Sequence, residues 1–571
     1  MAETYSVALA GSGGAGVMTA GTLLLEGAAK AGFYGLMSKL AGSQVRGGET
    51  AALVRLATWR VESPPDAYDI LCAVDWRNVD RFAPEIPLSR SAVILTDPAS
   101  GPVPPVMLAS GARLIELPLA DLAKAIRGGR PAMVAIGVLG ALARIPEDAI
   151  AAVLPKHLAE HGAAAIDASR AALAAGYRHV ALLGLESGLP DPKPASNRWL
   201  ISGNQALALG ALRAGVRFVA GYPITPATEF VEWMSPALLR LGGRLIQGED
   251  ELASINLALG ASFGGVPAMT VTSGPGFSLM VESVGLAVAS ETPLVLVDVQ
   301  RAGPSTGIST KSEQSDLNLA VYGAHGDAPR VVVAPTSVAD SLPAMEWAVG
   351  LAERLQVPVI VLADQQMGQA DAVIDGLPPP APRVTRLAPE PGKGPYKRYA
   401  MTPSGISPIA TPGMPGCCWV GEGLTHNEGG APVTSAKDHV AQIEKRWHKL
   451  DAFDFGADGA EIDGDGELAI VTWGSSAAPA REAADRLRRE GLSVRVVALR
   501  LIAPVRPKQL LALLAGARRT VVVELNHRGQ LFHYLRSEAA LPDGAESLAR
   551  PGPLPLTARE ICARIQAEGH A

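Results

Sequence analysis

Short apolar runs alternate with longer stretches of mixed polarity over most of this 571-residue chain. In the N-terminal part these runs are residues 5–11, 68–74, 92–97 and 112–117. Their length and their content of Val, Leu and Ile are typical of buried strands, and the stretches between them are long enough for helices. Strands that alternate with helices form a parallel sheet covered on both faces. The pattern therefore predicts an α/β fold.

The same alternation returns twice further along the chain. The additional strand-like runs are residues 216–221, 243–248, 268–273, 293–299, 330–335, 358–364, 467–475, 493–499 and 520–525. They predict α/β domains at residues 1–190, 195–370 and 466–571, with a Pro-rich linker between the first two. Residues 371–465 are rich in proline and glycine, and we expect an irregular crossing segment there.

Composition excludes several classes of protein. The net charge is −6 and the chain has no basic run, which argues against nucleic acid as a partner. The longest uncharged stretch, residues 252–281, is interrupted by glycine and proline, so we expect no membrane span. The N-terminus lacks the features of a signal peptide, and the four cysteines form no CxxC pair. A cytoplasmic protein without its own iron–sulfur, zinc or disulfide framework is expected.

A glycine-rich turn follows the first predicted strand. Gly11, Gly13 and Gly14 lie in the sequence GSGGAGV, between a strand and a helix, where backbone N–H groups can hold an anion. No acidic residue follows at the distance expected for dinucleotide binding. A tight turn needed for packing explains the glycines equally well. Arg46, beside two further glycines, is a second candidate for an anion contact.

A stiff loop follows the predicted strand 216–221. It reads Tyr222-Pro223-Ile224-Thr225-Pro226, and each proline fixes its own φ and restricts the residue before it. The loop therefore holds a single threonine hydroxyl in one conformation.

Glu251 is the third of three consecutive acids at the head of an apolar helix. Acids at a helix N-terminus usually act as caps, which accounts for Glu249 and Asp250. Residues on nearly every side of the helix after Glu251 are apolar, and burial of a carboxyl group favours its protonated form. Glu251 is therefore a candidate for holding or sharing a proton.

Several motifs, taken in order, resemble one family. Residues 203–215, 221–230, 249–262, 272–283 and 300–317 are together similar to the α chain of 2-oxoacid:ferredoxin oxidoreductases. Residues 1–190 resemble the γ domain of that family, fused in front, and residues 466–571 resemble its transketolase C-terminal-type domain. This order of domains is most similar to the 2-oxoglutarate type.

The resemblance implies a thiamine diphosphate enzyme that oxidatively decarboxylates 2-oxoglutarate, forms succinyl-CoA and reduces ferredoxin. Residues 195–370 would be the pyrimidine-binding domain, and residues 1–190 would contact coenzyme A. Glu251 matches the glutamate that activates the aminopyrimidine ring, while Thr225 and Arg301 match the residues that bind the 2-oxoacid head group. The implied cofactor contacts are Tyr222, Pro223, Ile224 and Glu251, and the implied anion contacts are Gly11, Gly13, Gly14 and Arg46.

The chain lacks a complete site for the diphosphate and its metal ion. Its one GDG triplet, residues 464–466, precedes a predicted strand and has no asparagine until Asn526. We therefore predict no metal ligand here. The resemblance implies a β subunit that brings Mg²⁺ and a 4Fe-4S cluster, in a heterotetramer of two α and two β subunits.

Three alternatives remain open at this stage. The substrate could be pyruvate or a broad range of 2-oxoacids, since the second cation that a dicarboxylic acid needs is unplaced, with Lys311 and His325 as candidates. A non-oxidative thiamine enzyme would require a complete GDG…N site in the same chain. A nucleotide-binding regulatory protein would rest on the first glycine-rich turn alone.

Overall fold

The computed structural model describes residues 4–42, 48–77, 79–185, 189–192, 197–390 and 395–568. The strands are β1 Thr4–Ser12, β2 Tyr34–Ala41, β3 Glu49–Ala57, β4 Tyr68–Ala73, β5 Leu88–Thr96, β6 Arg113–Glu116, β7 Trp199–Ser202, β8 Phe218–Gly221, β9 Arg244–Gln247, β10 Ala268–Thr272, β11 Leu294–Gln300, β12 Val331–Val333, β13 Pro358–Asp364, β14 Asp371–Ile374, β15 Ala460–Asp463, β16 Leu468–Trp473, β17 Val494–Leu499, β18 Leu501–Ala503, β19 Arg519–Glu524 and β20 Glu546–Ala549.

The helices are α1 Val17–Ala31, α2 Pro105–Leu108, α3 Leu119–Lys124, α4 Pro131–Leu142, α5 Glu147–Ala151, α6 Leu154–Leu158, α7 Ala163–His179, α8 Gly203–Ala214, α9 Thr228–Arg240, α10 Glu251–Phe263, α11 Gly274–Ala289, α12 Leu317–Tyr322, α13 Val338–Leu355, α14 Gln365–Gln369, α15 Ala436–Asp451, α16 Ala477–Arg489, α17 Pro507–Leu513, α18 Gln530–Ser537 and α19 Ala558–Glu568. Among the described residues, none of these helices combines the length and the apolar character that crossing a membrane requires.

The chain divides into two compact units. The first contains the residues up to Ser202 together with Gln369–Leu377, and the second contains Gly203–Gly368 and the residues from Pro378 onward. The α/β class predicted from the sequence is confirmed in both units.

The first unit is built on one eight-stranded sheet, in the order β6-β5-β4-β1-β3-β2-β14-β7. Four neighbouring strands of this sheet, β6, β5, β4 and β1, are parallel. The parallel sheet predicted from the sequence is therefore confirmed for these four strands. The sheet continues through antiparallel pairs, in which β2 and β3 form a hairpin and β14 pairs with both β2 and β7. Strands β2 and β3 were not predicted from the hydrophobic pattern.

The second unit contains two sheets. The larger has the order β18-β12-β13-β11-β10-β8-β9 and is parallel except for β18. The smaller has the order β15-β17-β16-β19-β20 and is parallel except for β15. Every strand predicted in residues 216–364 and 467–525 is present. One apolar cluster contains side chains from both sheets, among them Leu296 and Val471, so the two sheets share a core.

The predicted crossing segment is irregular in its middle and regular at its ends. Residues 378–390 and 395–435 contain no helix or strand among the described residues, whereas β14, α15 and β15 lie within the interval 371–465 that we expected to be irregular. Helix α15 is held by buried ion pairs in addition to the apolar contact of Leu450 with the core, since Lys445 and Lys449 both contact the carboxylate of Glu291.

Candidate functional site

The candidate site lies at the carboxyl edge of the larger sheet in the second unit. Strands β8, β10 and β11 are parallel neighbours, so the segments that follow them meet at the same edge. These segments are the loop beginning at Tyr222, the start of α11 at Gly274, and the loop beginning at Arg301. Each of them was singled out from the sequence, and the fold explains why they converge.

Two polar side chains hold the Tyr222–Pro226 loop. Arg301 Nη1 donates a hydrogen bond of 2.8 Å to the carbonyl oxygen of Thr225, and Asn204 Nδ2 donates one of 3.1 Å to the carbonyl oxygen of Pro226. Asn204 is fully buried, and Arg301 is 8% exposed. The prolines therefore do not act alone, because the carbonyl groups between and after them are also tethered.

The side chains of this loop differ in exposure. Thr225, Tyr222 and Pro223 are exposed, while Ile224 is half-buried and packs against the core of the second unit. The backbone of the loop is thus held from inside the protein, and its threonine hydroxyl remains accessible to a ligand.

Glu251 does not cap helix α10. Asp250 is the N-cap, and its carboxylate accepts the N–H of Ala253 at 2.7 Å. Glu251 is the first helical residue and is buried. Its carboxylate lies so close to Gly276 that a Cβ atom there would come within 2.7 Å of Oε1. Helix α11 therefore passes directly over this carboxylate, and only glycine fits.

The Arg301 guanidinium is affected electrostatically by three carboxyl groups, one of them that of Glu251. Burial lowers the pKa of the Arg301 guanidinium, and the carboxyl groups of Asp316, Asp298 and Glu251 oppose that shift. Arg301 thus contacts the loop that carries Thr225 and lies within electrostatic range of Glu251.

The site contains a pair of carboxyl groups that sequence reasoning missed. Asp298 lies fully buried in β11, and no N–H or alcohol group of the described chain donates to either of its carboxylate oxygens. Burial and the neighbouring Asp316 raise the pKa of Asp298 well above its usual value, and burial raises the pKa of Asp316 to about 6. Two adjacent buried carboxyl groups cannot both ionise, so the pair shares a proton. A charged residue within the apolar run of β11 was the available signal.

A cleft of about 710 Å³ opens beside Arg301. It is lined by the start of α11, by the segments 301–306 and 313–319, and by the loop 526–530 from the smaller sheet. Asp316 lines it, as do His527 and Arg528, to which the sequence analysis assigned no role. Neither Lys311 nor His325, the earlier candidates for a second cation, is among the described residues that line this cleft.

In the first unit, one backbone N–H group of the predicted anion-binding turn already donates a hydrogen bond within the protein. Gly11 lies within strand β1. The N–H of Gly13 donates a hydrogen bond to the carbonyl oxygen of Gly48 at 2.7 Å. Gly14 has a φ of 95°, a left-handed conformation that favours glycine. The carboxylate of Asp75 accepts a hydrogen bond of 2.7 Å from Ser12 Oγ beside this turn. Arg46 lies outside the described residues.

Three family models match the chain in order. Residues 6–179 match the pyruvate ferredoxin/flavodoxin oxidoreductase domain, residues 209–445 match its thiamine diphosphate-binding domain, and residues 459–529 match the transketolase C-terminal domain. The 2-oxoglutarate synthase subunit KorA of Methanocaldococcus jannaschii is 40% identical over 339 residues, which cover 58% of this chain and 89% of that protein.

The chain belongs to the 2-oxoacid:ferredoxin oxidoreductase family. Subunit alpha of 2-oxoacid:ferredoxin oxidoreductase 2 from Aeropyrum pernix is 32% identical over 497 residues, covering 80% of this chain and 76% of that protein. The solved 2-oxoglutarate:ferredoxin oxidoreductase of Magnetococcus marinus, with 2-oxoglutarate, coenzyme A and succinyl-CoA bound, superimposes with a TM-score of 0.93 at 34% identity over the full length of both chains. The family resemblance predicted from the sequence motifs is confirmed.

The residues around Glu251 fit the pyrimidine end of thiamine diphosphate. The Glu251 carboxylate accepts no hydrogen bond from the described part of the chain, although it is buried. The hydroxyl groups of Thr270 in β10 and of Ser273 at the start of α11 are also buried, and neither has a hydrogen-bond partner among the described residues. Buried polar groups are normally paired, so these atoms are suited to a ligand that brings its own donors and acceptors.

Proposed function

We propose that this chain is the α subunit of a 2-oxoglutarate:ferredoxin oxidoreductase. With coenzyme A, the enzyme would convert 2-oxoglutarate to succinyl-CoA and CO₂ and pass the electrons to ferredoxin. The observation that carries the proposal is the full-length match to the Magnetococcus marinus enzyme, because that match includes all three domains. The convergence of Thr225, Glu251 and Arg301 in one site supports it independently.

Each of these three residues has a distinct task in the proposal. Arg301 presents a permanently charged guanidinium to the carboxylate next to the reacting carbonyl. Thr225 offers its hydroxyl from a loop whose position is fixed, since a loosely held donor loses rate. Glu251 holds a proton on the aminopyrimidine ring of the cofactor. Thiamine diphosphate, when bound, supplies the nucleophilic carbon that 2-oxoacid decarboxylation requires.

The remaining contacts complete the cofactor site of this proposal. Tyr222, Pro223 and Ile224 would line the cofactor beside Glu251. The segment 195–370 would be its pyrimidine-binding domain, followed by the crossing segment 371–465 and the transketolase C-terminal-like domain 466–571. Residues 1–190, with Gly11, Gly13, Gly14 and Arg46, would contribute to binding coenzyme A.

The proposal includes a partner subunit. The curated relatives are named as subunits, which supports an enzyme of more than one chain. A β subunit would supply Mg²⁺ and a 4Fe-4S cluster, in a heterotetramer of two α and two β subunits that reduces ferredoxin. A cytoplasmic location, expected from the sequence, is part of the same proposal.

The experiment is an assay of the complex that co-purifies with this chain from its native source. Reduction of a viologen dye is followed with 2-oxoglutarate, pyruvate and 2-oxobutyrate, each with and without coenzyme A. We expect the highest kcat/KM with 2-oxoglutarate and a strict requirement for coenzyme A. A complex that prefers pyruvate would contradict the assignment of the substrate. A complex that reduces no dye with any 2-oxoacid would contradict the assignment of the reaction.

A further inference from the structure

Hydrogen bonds from the protein interior hold the loop between β19 and α18, residues Asn526–Gly529, in one conformation. We call it the Asn526 loop. The buried carboxylate of Glu524 accepts hydrogen bonds from Asn526 Nδ2 at 2.6 Å, from the N–H of Leu531 at 2.8 Å and from the N–H of Phe532 at 3.0 Å. One carboxylate therefore joins the loop to the first turn of the helix that follows it.

A second set of hydrogen bonds ties the loop to the larger sheet's side of the cleft. The N–H of Gln314 donates to the carbonyl oxygen of Leu525 at 2.7 Å, and the N–H of Leu525 donates to Gln314 Oε1 at 2.8 Å. Asn526 Nδ2 also donates to the carbonyl oxygen of Gln314 at 3.1 Å, and Gln530 Nε2 donates to that of Ser315 at 2.8 Å. The loop is thus fixed relative to the segment that carries Asp316.

Two basic side chains of the Asn526 loop take no part in this hydrogen-bond network. His527 and Arg528 are exposed and line the same cleft as Arg301. Gly529 has a φ of 63°, and a Cβ atom there would lie 2.8 Å from Ser547 Oγ. The backbone can therefore turn toward the protein interior at Gly529. Arg528, the residue before it, stays at the mouth of the cleft.

Arg528 has no carboxylate partner within the described chain. Two acids line the cleft with it, but both are engaged elsewhere. Glu313 accepts the N–H of Gly552 at 3.0 Å, and Asp316 is paired with Asp298. Arg528 therefore remains available to an anion that enters the cleft from outside.

We propose that Arg528 binds the distal carboxylate of a dicarboxylic 2-oxoacid while Arg301 receives the carboxylate beside the carbonyl. This inference rests on the proposed function and adds the residue that would select the substrate class. A dicarboxylic acid needs a cation at each end, and the cleft presents one arginine from the larger sheet and one from the smaller. Because hydrogen bonds already hold the backbone of the Asn526 loop, little backbone freedom is lost when the substrate binds. The guanidinium can also bind a carboxylate through two N–H groups.

The test compares Arg528→Gln with the wild type in the complete enzyme, using 2-oxoglutarate and 2-oxobutyrate, which lacks the distal charge. We expect kcat/KM for 2-oxoglutarate to fall about ten- to hundredfold, mostly through KM, because a charge-assisted hydrogen bond is lost. The value for 2-oxobutyrate should change less than about threefold, since its uncharged end makes no such bond. Arg528→Lys should recover part of the loss, because it keeps the charge.

Arg518→Gln is the matched control. Arg518 is an exposed arginine of the same domain that contacts Glu467 and does not line the cleft. Its substitution should leave both substrates unaffected. Equal losses for the two substrates in Arg528→Gln would overturn the proposal. So would a rise in the KM for coenzyme A with either 2-oxoacid, because Arg528 would then hold a phosphate group.

The proposed reaction and the role of Arg528 fail in different ways. If the wild-type complex turned over no 2-oxoacid, the reaction would be wrong, and calorimetric binding of 2-oxoglutarate to the wild-type and Arg528→Gln complexes would still test the arginine. Weaker binding in the variant would support the role of Arg528, and unchanged binding would overturn it.

Discussion

Arg301 connects the cleft to the loop that carries Thr225. One of its N–H groups is used on the Thr225 carbonyl oxygen at 2.8 Å, and its Nε atom is buried without a partner. The guanidinium therefore fixes the loop and still has donors for a ligand. A substitution at Arg301 would disturb both tasks at once, so Glu251 gives a cleaner test of the chemistry.

Replacing Glu251 by glutamine should abolish most of the turnover of the complete enzyme. The amide keeps the size of the side chain but cannot hold and release a proton, and such groups contribute a factor of about 10² to 10⁴ to rate. We expect kcat with 2-oxoglutarate to fall at least about a hundredfold, measured by viologen reduction. Glu249→Gln is the control, because Glu249 is an exposed acid two residues earlier. A normal kcat in Glu251→Gln would remove this residue from the mechanism.

The Asp298–Asp316 pair should make stability depend on pH. Its folded-state pKa values are raised, to about 6 for Asp316, so the folded chain keeps a proton that the unfolded chain releases near pH 4. For Asp316 this contribution is complete below about pH 4 and is lost as the pH rises through about 6, whereas the raised pKa of Asp298 keeps its proton in place to higher pH.

Asp298→Asn should weaken this dependence, because the carboxyl group whose pKa is raised well above its usual value no longer titrates. The melting temperature of the second unit, followed by calorimetry from pH 5 to pH 7, should fall less steeply in the variant than in the wild type. Asp543→Asn, at an exposed acid, should reproduce the wild-type slope. An unchanged slope in Asp298→Asn would show that the two carboxyl groups do not share a proton.

At the scale of elements, helix α15 is attached through charge. Glu291 follows the end of α11, and its fully buried carboxylate receives Lys445 Nζ at 2.6 Å and also contacts Lys449. Arg398, from the irregular segment, donates to the carbonyl oxygen of the same residue at 2.6 Å. Burial lowers the pKa of Lys449 to about 7, and the Glu291 carboxylate opposes that shift. Glu291 thus holds both α15 and the irregular segment before it.

Glu291→Gln should release this part of the chain. Removal of one partner from a buried ion pair costs about 3–5 kcal/mol, because the remaining charges stay desolvated. We expect a lower melting temperature and faster cleavage within residues 395–435 under limited proteolysis. Glu282→Gln, at an exposed position on the same helix α11, should be cleaved at the wild-type rate. If the two variants resist proteolysis equally, the attachment does not depend on this carboxylate.

The elements that could be predicted are those stabilised by apolar burial. Strand β11 has five apolar residues among seven and was found because all seven are buried. The central strand β3 is an exception, since it is mostly buried and was not predicted. Helix α15 was missed because its buried positions include Gln442, Lys445 and Lys449. Its partner Glu291 lies about 150 residues earlier, and no local pattern reports such a distant counter-ion.

Some residues of the candidate site could be predicted from the sequence, and others depend on the fold. Glu251 and Thr225 each lie in a stretch that is unusual by itself, and Arg301 could be proposed from the resemblance of the ordered motifs to the family. The contribution of Arg528 depends on the pairing of Gln314 with Leu525, which are 211 residues apart. Only the fold brings those two segments to one cleft.

At the scale of the molecule, the second unit joins its two sheets in three ways. They share an apolar cluster, β18 from the C-terminal region pairs with β12 of the larger sheet, and loops from both sheets line one cleft. The two arginines proposed to hold the substrate come from different sheets. Substrate recognition in this account therefore requires the packing of the whole unit, and neither sheet alone would suffice.

The central claim is an oxidative reaction that ends in a thioester. The most direct test is product analysis of the purified complex with 2-oxoglutarate, coenzyme A and oxidised ferredoxin. We predict one succinyl-CoA and one CO₂ for every two electrons delivered to ferredoxin. Release of CO₂ with succinic semialdehyde and without reduced ferredoxin would identify a non-oxidative thiamine enzyme and contradict the account.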